Sequence, residues 1–510
     1  MAESHLVTEW RAARDNLISA DRSLRRDQHR SALSSQEEKA DTIIRAIRKK
    51  EAEGIWSTQH DSILNPFPGM EFLTGKKIIE QTTLFDILLK MPKGGLLHAH
   101  LDATVDARTL LQLALETPGM HVRIADMFDP ATLTSNVPEF RVLPEAEYTT
   151  QSSIDSAPSS TWVPVTAARG NFPVDGAAGF DKWALGAMMI NPSEAYGTHN
   201  TLKKIWQKFM STFRATHGLF FHLPIFEKYV RKALLSSVED GISYVEPRVN
   251  FLAKFMTGAD GQENVPHRDW LLVFDRVLRD VKNELKNQGR ADELFGARII
   301  YSTVRFITPD ELKWYLQDCI AMKKEFPHLI AGFDLVGDEN VLHPLKYYAE
   351  VLLQFPAMQD AAGLPEDQRI PFIFHAGETL GDGSEADDNL YDAVLLGTKR
   401  IGHGFSIVKH PKIMELCRER GICVEVCPIS NEILRLTSSM PMHPLPIMLN
   451  NGLPVALCSD DPAVFGSMGL SYDYFQVLAS SDLSGLMTLG ELAKTASSSP
   501  ALGMKTSRSL

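Results

Sequence analysis

Residues 94–102 read GGLLHAHLD, a short apolar run that ends in two histidines and an aspartate. Seven more short β-rich runs follow it along the chain: GISYVEPRVN (241–250), ARIIYSTVR (297–305), LIAGFDLVG (329–337), PFIFHAGE (371–378), RIGHGF (400–405), ICVEVCP (422–428) and PVALCSDDP (454–462). The segments between the later runs have helix-start residues and amphipathic spacing, which is typical of parallel βα units. Eight such units favour an α/β fold, a closed (β/α)8 TIM barrel, although periodicity alone leaves an open doubly wound sheet as the alternative.

The rest of the chain is organised around this barrel, which we expect over residues 91–490. Residues 1–90 have helical spacing and predict an N-terminal helical extension. Residues 121–185 turn to Pro, Ser, Thr and Ala without a clear period, which predicts a long insertion after the first strand with no regular structure. For residues 491–510 we expect a tail that is truncated or disordered.

Composition narrows the class of protein and its location. The 510 residues carry a formal net charge of −12, which disfavours nucleic-acid binding because such proteins usually present a basic surface to phosphates. No apolar run reaches the roughly 18 residues that a membrane span needs, and the polar N-terminus lacks the apolar core of a signal peptide. Five cysteines are an odd, sparse set, so we expect a cytoplasmic protein without a disulfide framework.

Two histidines at the end of the first run are spaced to share one ion. His98 and His100 are two residues apart, so on an extended strand both side chains point to the same face. An isolated HxH is more often a pair of ordinary strand-end histidines than a metal site. The interpretation therefore depends on what the other strand ends carry.

Three further strand ends carry groups of the same chemistry. His375 and Glu378 in HAGE offer an imidazole ligand and a nearby carboxylate, and His403 lies between two glycines that permit close approach. Asp460 and Asp461 in SDDP could instead cap the turn before the following proline. Catalytic groups of a TIM barrel come from the ends of several strands, and this joint occurrence predicts metal-assisted hydrolysis with Zn2+ as the metal.

At these residues the sequence resembles the adenosine deaminase family, and in particular its growth-factor-related branch. The shared motifs occur in the family's order over roughly residues 40–480: MPKGGLLHAHLDA, SYVEPR, GFDLVGDE, FHAGE, RIGHGF, CPISN and SDDPAVFG. The branch is indicated by the N-terminal helices, the MPKG lead-in, the insertion and the segment IWQKFMSTFRATHGLFFHLPIF that precedes SYVEPR. That branch is typically secreted, so secretion is the alternative to a cytoplasmic location.

The resemblance implies a role for each motif residue. One zinc ion per chain would be held by four ligands: His98, His100, His375 and Asp460. Glu378 would protonate the purine N1, and His403 would orient and stabilise the hydroxide that adds at C6, with Asp460 beside both. Asp461 would hydrogen-bond N7, the backbone N–H of Gly337 would meet N3, and Asp102 would hold the ribose 5′-hydroxyl.

The implied activity is deamination of adenosine and 2′-deoxyadenosine to inosines and ammonia. A carboxylate at Asp102 would repel a 5′-phosphate, which favours a purine nucleoside over AMP as the small-molecule partner. AMP or another 6-aminopurine remains the first alternative, and a non-catalytic signalling or binding protein is the more remote one. The resemblance also suggests a homodimer formed through the N-terminal helices, against which a helical lid packed on the barrel is the simpler interpretation.

Overall fold

The computed structural model describes residues 5–29, 33–58, 60, 63–125, 136–155, 158, 160–499 and 501. Its strands, numbered in chain order, are β1 (Gly94–Leu96), β2 (Met120–Ile124), β3 (Pro138–Val142), β4 (Val163–Pro164), β5 (Ile242–Val245), β6 (Arg248–Asn250), β7 (Phe255–Thr257), β8 (Glu263–Pro266), β9 (Gly296–Ala297), β10 (Ile299–Val304), β11 (Ile330–Val336), β12 (Ile373–Ala376), β13 (Arg400–His403), β14 (Cys423–Val426) and β15 (Val455–Leu457). Each of the eight predicted runs contains at least one of these strands.

The eight runs form a closed parallel ring. β1 pairs with β5 and β5 with β9, while β6 pairs with β10 and β10 with β11. A parallel bridge from Phe333 to Phe372 joins β11 to the strand that continues as β12, and β12 to β15 pair in order. The ring closes where Ala99 bridges Asp460, with the His100 N–H donating to the Asp460 carbonyl at 2.9 Å. The (β/α)8 TIM barrel is confirmed.

The helices, also numbered in chain order, are α1 (His5–Arg22), α2 (Ser35–Glu53), α3 (Phe72–Ile79), α4 (Thr83–Lys90), α5 (Ala107–Glu116), α6 (Val165–Gly170), α7 (Gly176–Met188), α8 (Leu202–Phe220), α9 (Leu223–Glu239), α10 (His267–Asn287), α11 (Pro309–Glu325), α12 (Ala349–Ala361), α13 (Glu385–Leu395), α14 (Pro411–Arg420), α15 (Pro428–Ile433), α16 (Leu445–Asn450), α17 (Pro462–Phe465), α18 (Ser471–Ala479) and α19 (Leu486–Ser498). In the part of the chain that is described, none of them is long and apolar enough to cross a lipid bilayer.

Local sequence explains the regular alternation. Every residue of β11 is buried, because one face of each barrel strand meets the interior and the other meets the surrounding helices. Helix α11 begins with a capping box: the Thr308 side chain accepts the Glu311 N–H, and the Glu311 carboxylate accepts the Thr308 N–H at 2.7 Å. Proline follows directly at the first helical position, where no N–H is needed.

The N-terminal helices divide into an exposed and a packed part. None of the residues of α1 is buried, whereas α2 lies against the barrel, where the Arg48 guanidinium donates to the carbonyl oxygens of Leu478, Ser481 and Ser484. The predicted helical extension is therefore present, with α1 as its least packed element.

The insertion after the first strand is not irregular, contrary to the expectation from composition. β2 pairs antiparallel with β3 and with β4, and α6 and α7 follow. Its strands bury alternate apolar side chains such as Val122, Phe140 and Val163. Strands this short, separated by Pro- and Ser-rich links, give too weak a period to be recognised in the sequence. Part of the insertion, residues 126–135, lies outside the described residues.

The C-terminal expectation is wrong for most of the described tail. Residues 491–498 belong to α19, which buries Leu489, Leu492 and Ala496 where it packs on β1 and β15. Alanine and serine let the helix approach the barrel closely, so aromatic residues are not needed for this packing. Residue 501 also packs against the barrel, and residues 500 and 502–510 lie outside the described part.

Candidate active site

The predicted site residues meet at the carboxyl ends of the barrel strands. His98 and His100 follow β1, His375 lies in β12 and His403 ends β13, while Asp460 follows β15. One ligand atom from each of His98, His375, His403 and Asp460 lies within 4.8 Å of the others, and His100, Asp460 and Asp461 form a second such group. The two groups share Asp460, so together they form one cluster that can hold a metal.

Distances place one carboxylate oxygen at the centre of the cluster. Oδ1 of Asp460 lies 3.3 Å from Nε2 of His98, 3.3 Å from Nε2 of His100 and 3.9 Å from Nε2 of His403. The set His98, His100, His375 and Asp460 stays a prediction for the metal ligands: the four-residue group contains His403 in place of His100, and His100 joins it through Asp460.

Two residues of the same cluster have an unusual backbone conformation. His403 and Asp460 both have positive φ, 59° and 58°, a region that side chains other than glycine rarely adopt. A Cβ on Gly402 would lie 3.0 Å from Cε1 of His98, so the glycine before His403 allows the strands to approach. Such conformations persist where the surrounding structure over-determines them, often at functional sites.

Two carboxylates that the sequence did not single out orient the histidines. Nδ1 of His98 lies 2.8 Å from Oε2 of Glu425, and Nδ1 of His375 lies 2.6 Å from Oδ2 of Asp334. The buried Arg248 joins them, donating to Asp334 at 2.7 Å and to Glu425 at 2.8 Å. Carboxylates in these positions fix the ring orientation, and they would direct Nε2 towards a metal bound in the cluster.

The charges beneath the cluster compensate one another. Burial opposes ionisation of Asp334 and Glu425, yet His375 and Arg248 lower the pKa of Asp334, and Arg248 with Arg400 lowers the pKa of Glu425. Burial lowers the pKa of His375 to about 3, so its imidazole is neutral and available as a ligand at neutral pH.

Glu378 is placed as a proton donor would be, in surroundings that favour its neutral form. Burial, followed by the charge of Asp460, raises its pKa well above the usual range. Its Oε1 lies 3.6 Å from Nδ1 of His403. Its backbone is held by Glu339, whose carboxylate accepts the N–H groups of Gly377 at 3.2 Å and of Glu378 at 2.9 Å.

The two adjacent aspartates differ in environment. Burial opposes ionisation of Asp460, but His403, His100 and His98 lower its pKa, and it accepts a hydrogen bond from the Ser430 hydroxyl at 2.7 Å. Burial and the charge of Asp460 raise the pKa of Asp461 well above its usual range. The Asp461 side chain makes no cap hydrogen bond to α17, which counts against the turn-cap interpretation.

A cavity of about 840 Å3, including its open mouth, connects these groups to solvent. We call its strand-end side the floor, formed by the lining residues His100, His375, Glu378, His403, Asp460 and Asp461 together with His98 of the same cluster. We call the facing apolar surface the wall, formed by Trp206, Phe209, Met210, Phe213, Phe220 and Phe221. Asp102 and Gly337 also line the cavity, as the sequence predicts, whereas the role of α8 as its wall was not foreseen.

Buried polar atoms of the floor are left without hydrogen bonds in the part of the chain that is described. They are His98 Nε2, Glu378 Oε1, Asp460 Oδ1 and Asp461 Oδ1. Buried polar atoms of native proteins nearly always have a partner, so these four indicate a ligand. Imidazole nitrogens and a carboxylate oxygen are the donor set of a catalytic zinc site, and the residues fit such an ion.

Two family models and two relatives of similar sequence are described as adenosine deaminases or adenosine/AMP deaminases. The family model described as adenosine deaminase matches residues 185–510, and the model described as adenosine/AMP deaminase N-terminal matches residues 2–88. The chain is 32% identical to adenosine deaminase 2-A of Danio rerio over 82% of this chain and 77% of that one. It is 30% identical to adenosine deaminase 2 of Dictyostelium discoideum, over 96% of this chain and 82% of that one.

Solved structures share the fold at lower identity. An adenine deaminase from Arthrobacter aurescens matches with a TM-score of 0.51 and 17% identity, over 80% of this chain and 93% of that one. Arabidopsis ADAL complexed with GMP matches with a TM-score of 0.52 and 17% identity, over 81% and 92%. With the model match over residues 185–510 and the identities above, the chain belongs to the adenosine deaminase family.

Proposed function

We propose that this chain is a zinc-dependent hydrolase that converts adenosine and 2′-deoxyadenosine to the corresponding inosine and ammonia. The observation that carries the proposal is the floor itself, where the predicted ligand atoms His98 Nε2 and Asp460 Oδ1 are buried without a hydrogen bond beside a Glu378 carboxyl of raised pKa. The relatives named adenosine deaminase support the same reaction.

Four residues, taken from the two groups that share Asp460, would hold the ion: His98, His100, His375 and Asp460. Zinc bound there would supply a nucleophilic water at neutral pH by lowering the pKa of that water towards ~7. Asp334 and Glu425 keep the rings of His375 and His98 in the orientation that ligation needs.

The other floor residues would act on the purine. Glu378 donates its proton to N1, which draws electron density from C6 as the water oxygen adds there. Asp461, protonated because of its raised pKa, donates to N7, and the Gly337 N–H donates to N3. His403 orients the attacking water and takes up the proton that this water loses as the C6–O bond forms. That proton passes to the amino group, the C6–N bond breaks as the C6 hydroxyl returns a proton to Glu378, and ammonia leaves.

The cavity favours a nucleoside over a nucleotide. Its lining residues, all within the described part of the chain, include Asp102 and no lysine or arginine. A 5′-phosphate placed beside Asp102 would lack a cationic partner there and would be disfavoured. The wall offers apolar aromatic surface to the purine faces instead.

Ammonia release from adenosine and AMP, measured side by side, tests this assignment. We expect adenosine to have at least about tenfold the kcat/KM of AMP, since each 1.4 kcal/mol of discrimination is tenfold. A higher kcat/KM for AMP would contradict the nucleoside assignment, and ammonia from neither compound would contradict the reaction.

We also propose that the chain forms a homodimer through α1. Leu6, Trp10 and Leu17 lie on one face of that helix and are 75%, 63% and 72% exposed, which leaves an apolar stripe uncovered in the single chain. Light scattering after size exclusion should give twice the chain mass, and Trp10→Glu with Leu17→Glu should give the monomer. A monomeric parent chain would contradict the proposal.

A cytoplasmic location is proposed as well. All five cysteines lie in the described part, and each is free and buried. Free thiols are usual where the glutathione pool is reducing. Fractionation of the source cells should recover the chain with cytosolic markers; recovery in the medium would support secretion instead.

A further inference from the structure

Helix α17 is a single turn that begins directly after the two floor aspartates. Its first turn closes on the Asp461 carbonyl, which accepts the Val464 N–H at 3.0 Å and the Phe465 N–H at 3.2 Å. The Asp461 Oδ1 atom is buried and has no hydrogen bond among the described residues. The position of this oxygen therefore follows the backbone of α17.

A helix of one turn does not fix its own position, since most of its backbone groups have no partner inside it. Neighbouring elements hold α17 instead. The Ile190 N–H donates to one of its carbonyls at 3.0 Å, and the Phe465 ring stacks on Phe209 of the wall, with 5.9 Å between ring centroids. A further contact comes from α3: the Lys76 Nζ donates to the Gly466 carbonyl at 2.7 Å, where α17 ends.

The Lys76 ammonium is itself held in place. Its Nζ lies 3.8 Å from Oε1 of Glu80, one turn further along α3, and 5.5 Å from the centre of the Tyr472 ring. The Tyr472 hydroxyl donates to the same Glu80 oxygen at 2.8 Å. A lysine fixed at the C-terminal end of a helix satisfies a carbonyl that has no helical partner and interacts favourably with the helix dipole.

Helix α3 is packed and anchored, although it belongs to the N-terminal extension. Phe72, Ile78 and Ile79 are buried, and the Leu73 N–H donates to the Tyr196 hydroxyl oxygen at 3.0 Å. The cavity lining, as far as the chain is described, includes no residue of α3. Any effect of Lys76 on the reaction therefore passes through α17.

We infer that Lys76 is a positioning residue for the deamination: by binding the end of α17 it fixes the Asp461 carboxyl where the purine N7 binds. The inference rests on the proposed function, which assigns N7 to Asp461. It gives the N-terminal extension a part in the reaction that is separate from the dimer proposed for α1.

Kinetics of three variants test the role of Lys76. Lys76→Met removes the charged donor and keeps an unbranched side chain, and we expect kcat/KM on adenosine to fall about tenfold because Asp461 is misplaced. Lys76→Arg keeps a charged donor and should stay within about threefold of the parent chain. Lys77→Met makes the same chemical change at an exposed position of the same helix and should leave kcat/KM unchanged.

Two unreactive analogues show whether the loss lies at N7. 1-Deazaadenosine lacks the N1 that Glu378 protonates, so it binds without being deaminated, and 1,7-dideazaadenosine lacks N7 as well. We expect the parent chain to bind the first about tenfold more tightly than the second, because only the first accepts the Asp461 hydrogen bond. In Lys76→Met this ratio should fall below about threefold, while the affinity for the dideaza compound stays that of the parent.

Thermal unfolding of each variant shows which of them are folded. Lys76→Gln, whose side chain is one bond shorter and uncharged, replaces Lys76→Met if the latter does not fold. It should show the same fall in kcat/KM and the same smaller ratio between the two analogues.

The inference would be overturned by parent-like kinetics in Lys76→Met, an equal loss in Lys77→Met, or an arginine variant as poor as the methionine variant. An unchanged analogue ratio, or a parent chain that binds both analogues equally, would overturn it too. Each of these results leaves the proposed deamination intact, whereas a parent chain that releases no ammonia from adenosine would overturn both.

Discussion

The floor and the wall of the cavity are built from different parts of the chain and by different chemistry. The floor collects histidines and carboxylates from strand ends of the barrel, many of them fully buried and held by hydrogen bonds to a second layer of charges. The wall is formed by helix α8 and by Phe221 directly after it, which follow the insertion and present apolar, mostly aromatic side chains.

From this difference we infer that the floor carries out the reaction and that the wall recognises the substrate. Strand ends fix the floor groups in positions that bond making requires, whereas a helix that lines the cavity can alter the substrate contacts without moving the predicted metal ligands. Changes on the floor should therefore act on kcat or on the metal, and changes on the wall should act on KM.

Removing the floor's proton donor should have the largest effect. Glu378→Gln keeps the shape of the side chain but cannot protonate N1, so we expect kcat to fall by at least ~100-fold while metal content is unchanged. Glu366→Gln, at an exposed position, is the matched control. Turnover within about tenfold of the parent would contradict the role of Glu378.

Removing a carboxylate that orients a metal-ligand histidine should weaken metal binding. Asp334→Asn deprives Nδ1 of His375 of its charged partner, and we expect metal affinity to fall ~10–100-fold in competition with a chelator. Asp318→Asn breaks a similar pair, His267 Nδ1 with Asp318 Oδ2 at 2.7 Å, away from the floor. Equal affinity losses in the two variants would show that the effect is one of stability.

Truncating the wall should give a smaller loss of another kind. Phe213→Ala removes aromatic surface from the cavity, and we expect about a tenfold fall in kcat/KM, expressed in KM with kcat nearly unchanged. Phe295→Ala, at a 48% exposed phenylalanine, serves as control. A fall in kcat at unchanged KM would contradict the assignment of substrate binding to the wall and of the reaction to the floor.

Ionisation of the buried Glu432 carboxyl should change the stability of the fold and leave catalysis unchanged. Burial raises the pKa of Glu432 from 4.5 to about 8, and it accepts hydrogen bonds from the Phe72 N–H and the Tyr196 hydroxyl, both at 3.0 Å. The folded state holds this proton more tightly than the unfolded state. The free energy of unfolding should therefore fall as pH rises from about 4.5 to about 8.

Thermal unfolding across that pH range measures this contribution. The side chain in Glu432→Gln is neutral at every pH, so this variant should show a weaker dependence of the free energy of unfolding on pH. An unchanged slope would mean that other groups cause the dependence. We expect this to be the smallest of the effects, because Glu432 touches neither floor nor wall.

The sequence predicted the floor better than anything around it. His98, His100, His375, Glu378 and Asp460 carry recognisable chemistry at strand ends, and the barrel brings strand ends together. The eight runs and the barrel were predicted for the same reason, since buried parallel strands leave short apolar runs between amphipathic helices.

What the sequence did not reveal depends on tertiary contacts. Asp334 and Glu425 read as polar residues within strands, although they lie in the GFDLVGDE motif and just before CPISN, and only their burial beside Arg248 shows their role. The aromatic stripe of α8 has the spacing of an ordinary core-facing helix. Nothing local distinguishes a helix that packs on a core from one that covers a cavity.

Metal removal tests the central claim, that the floor is a metal-dependent deaminating site, most directly. The purified chain is stripped with a chelator, and ammonia release from adenosine is followed as Zn2+ is returned. We predict that release is lost on stripping and is restored in full at about one equivalent of Zn2+ per chain, as expected for a single catalytic zinc site. Full activity in a chain shown to contain no metal would contradict the account.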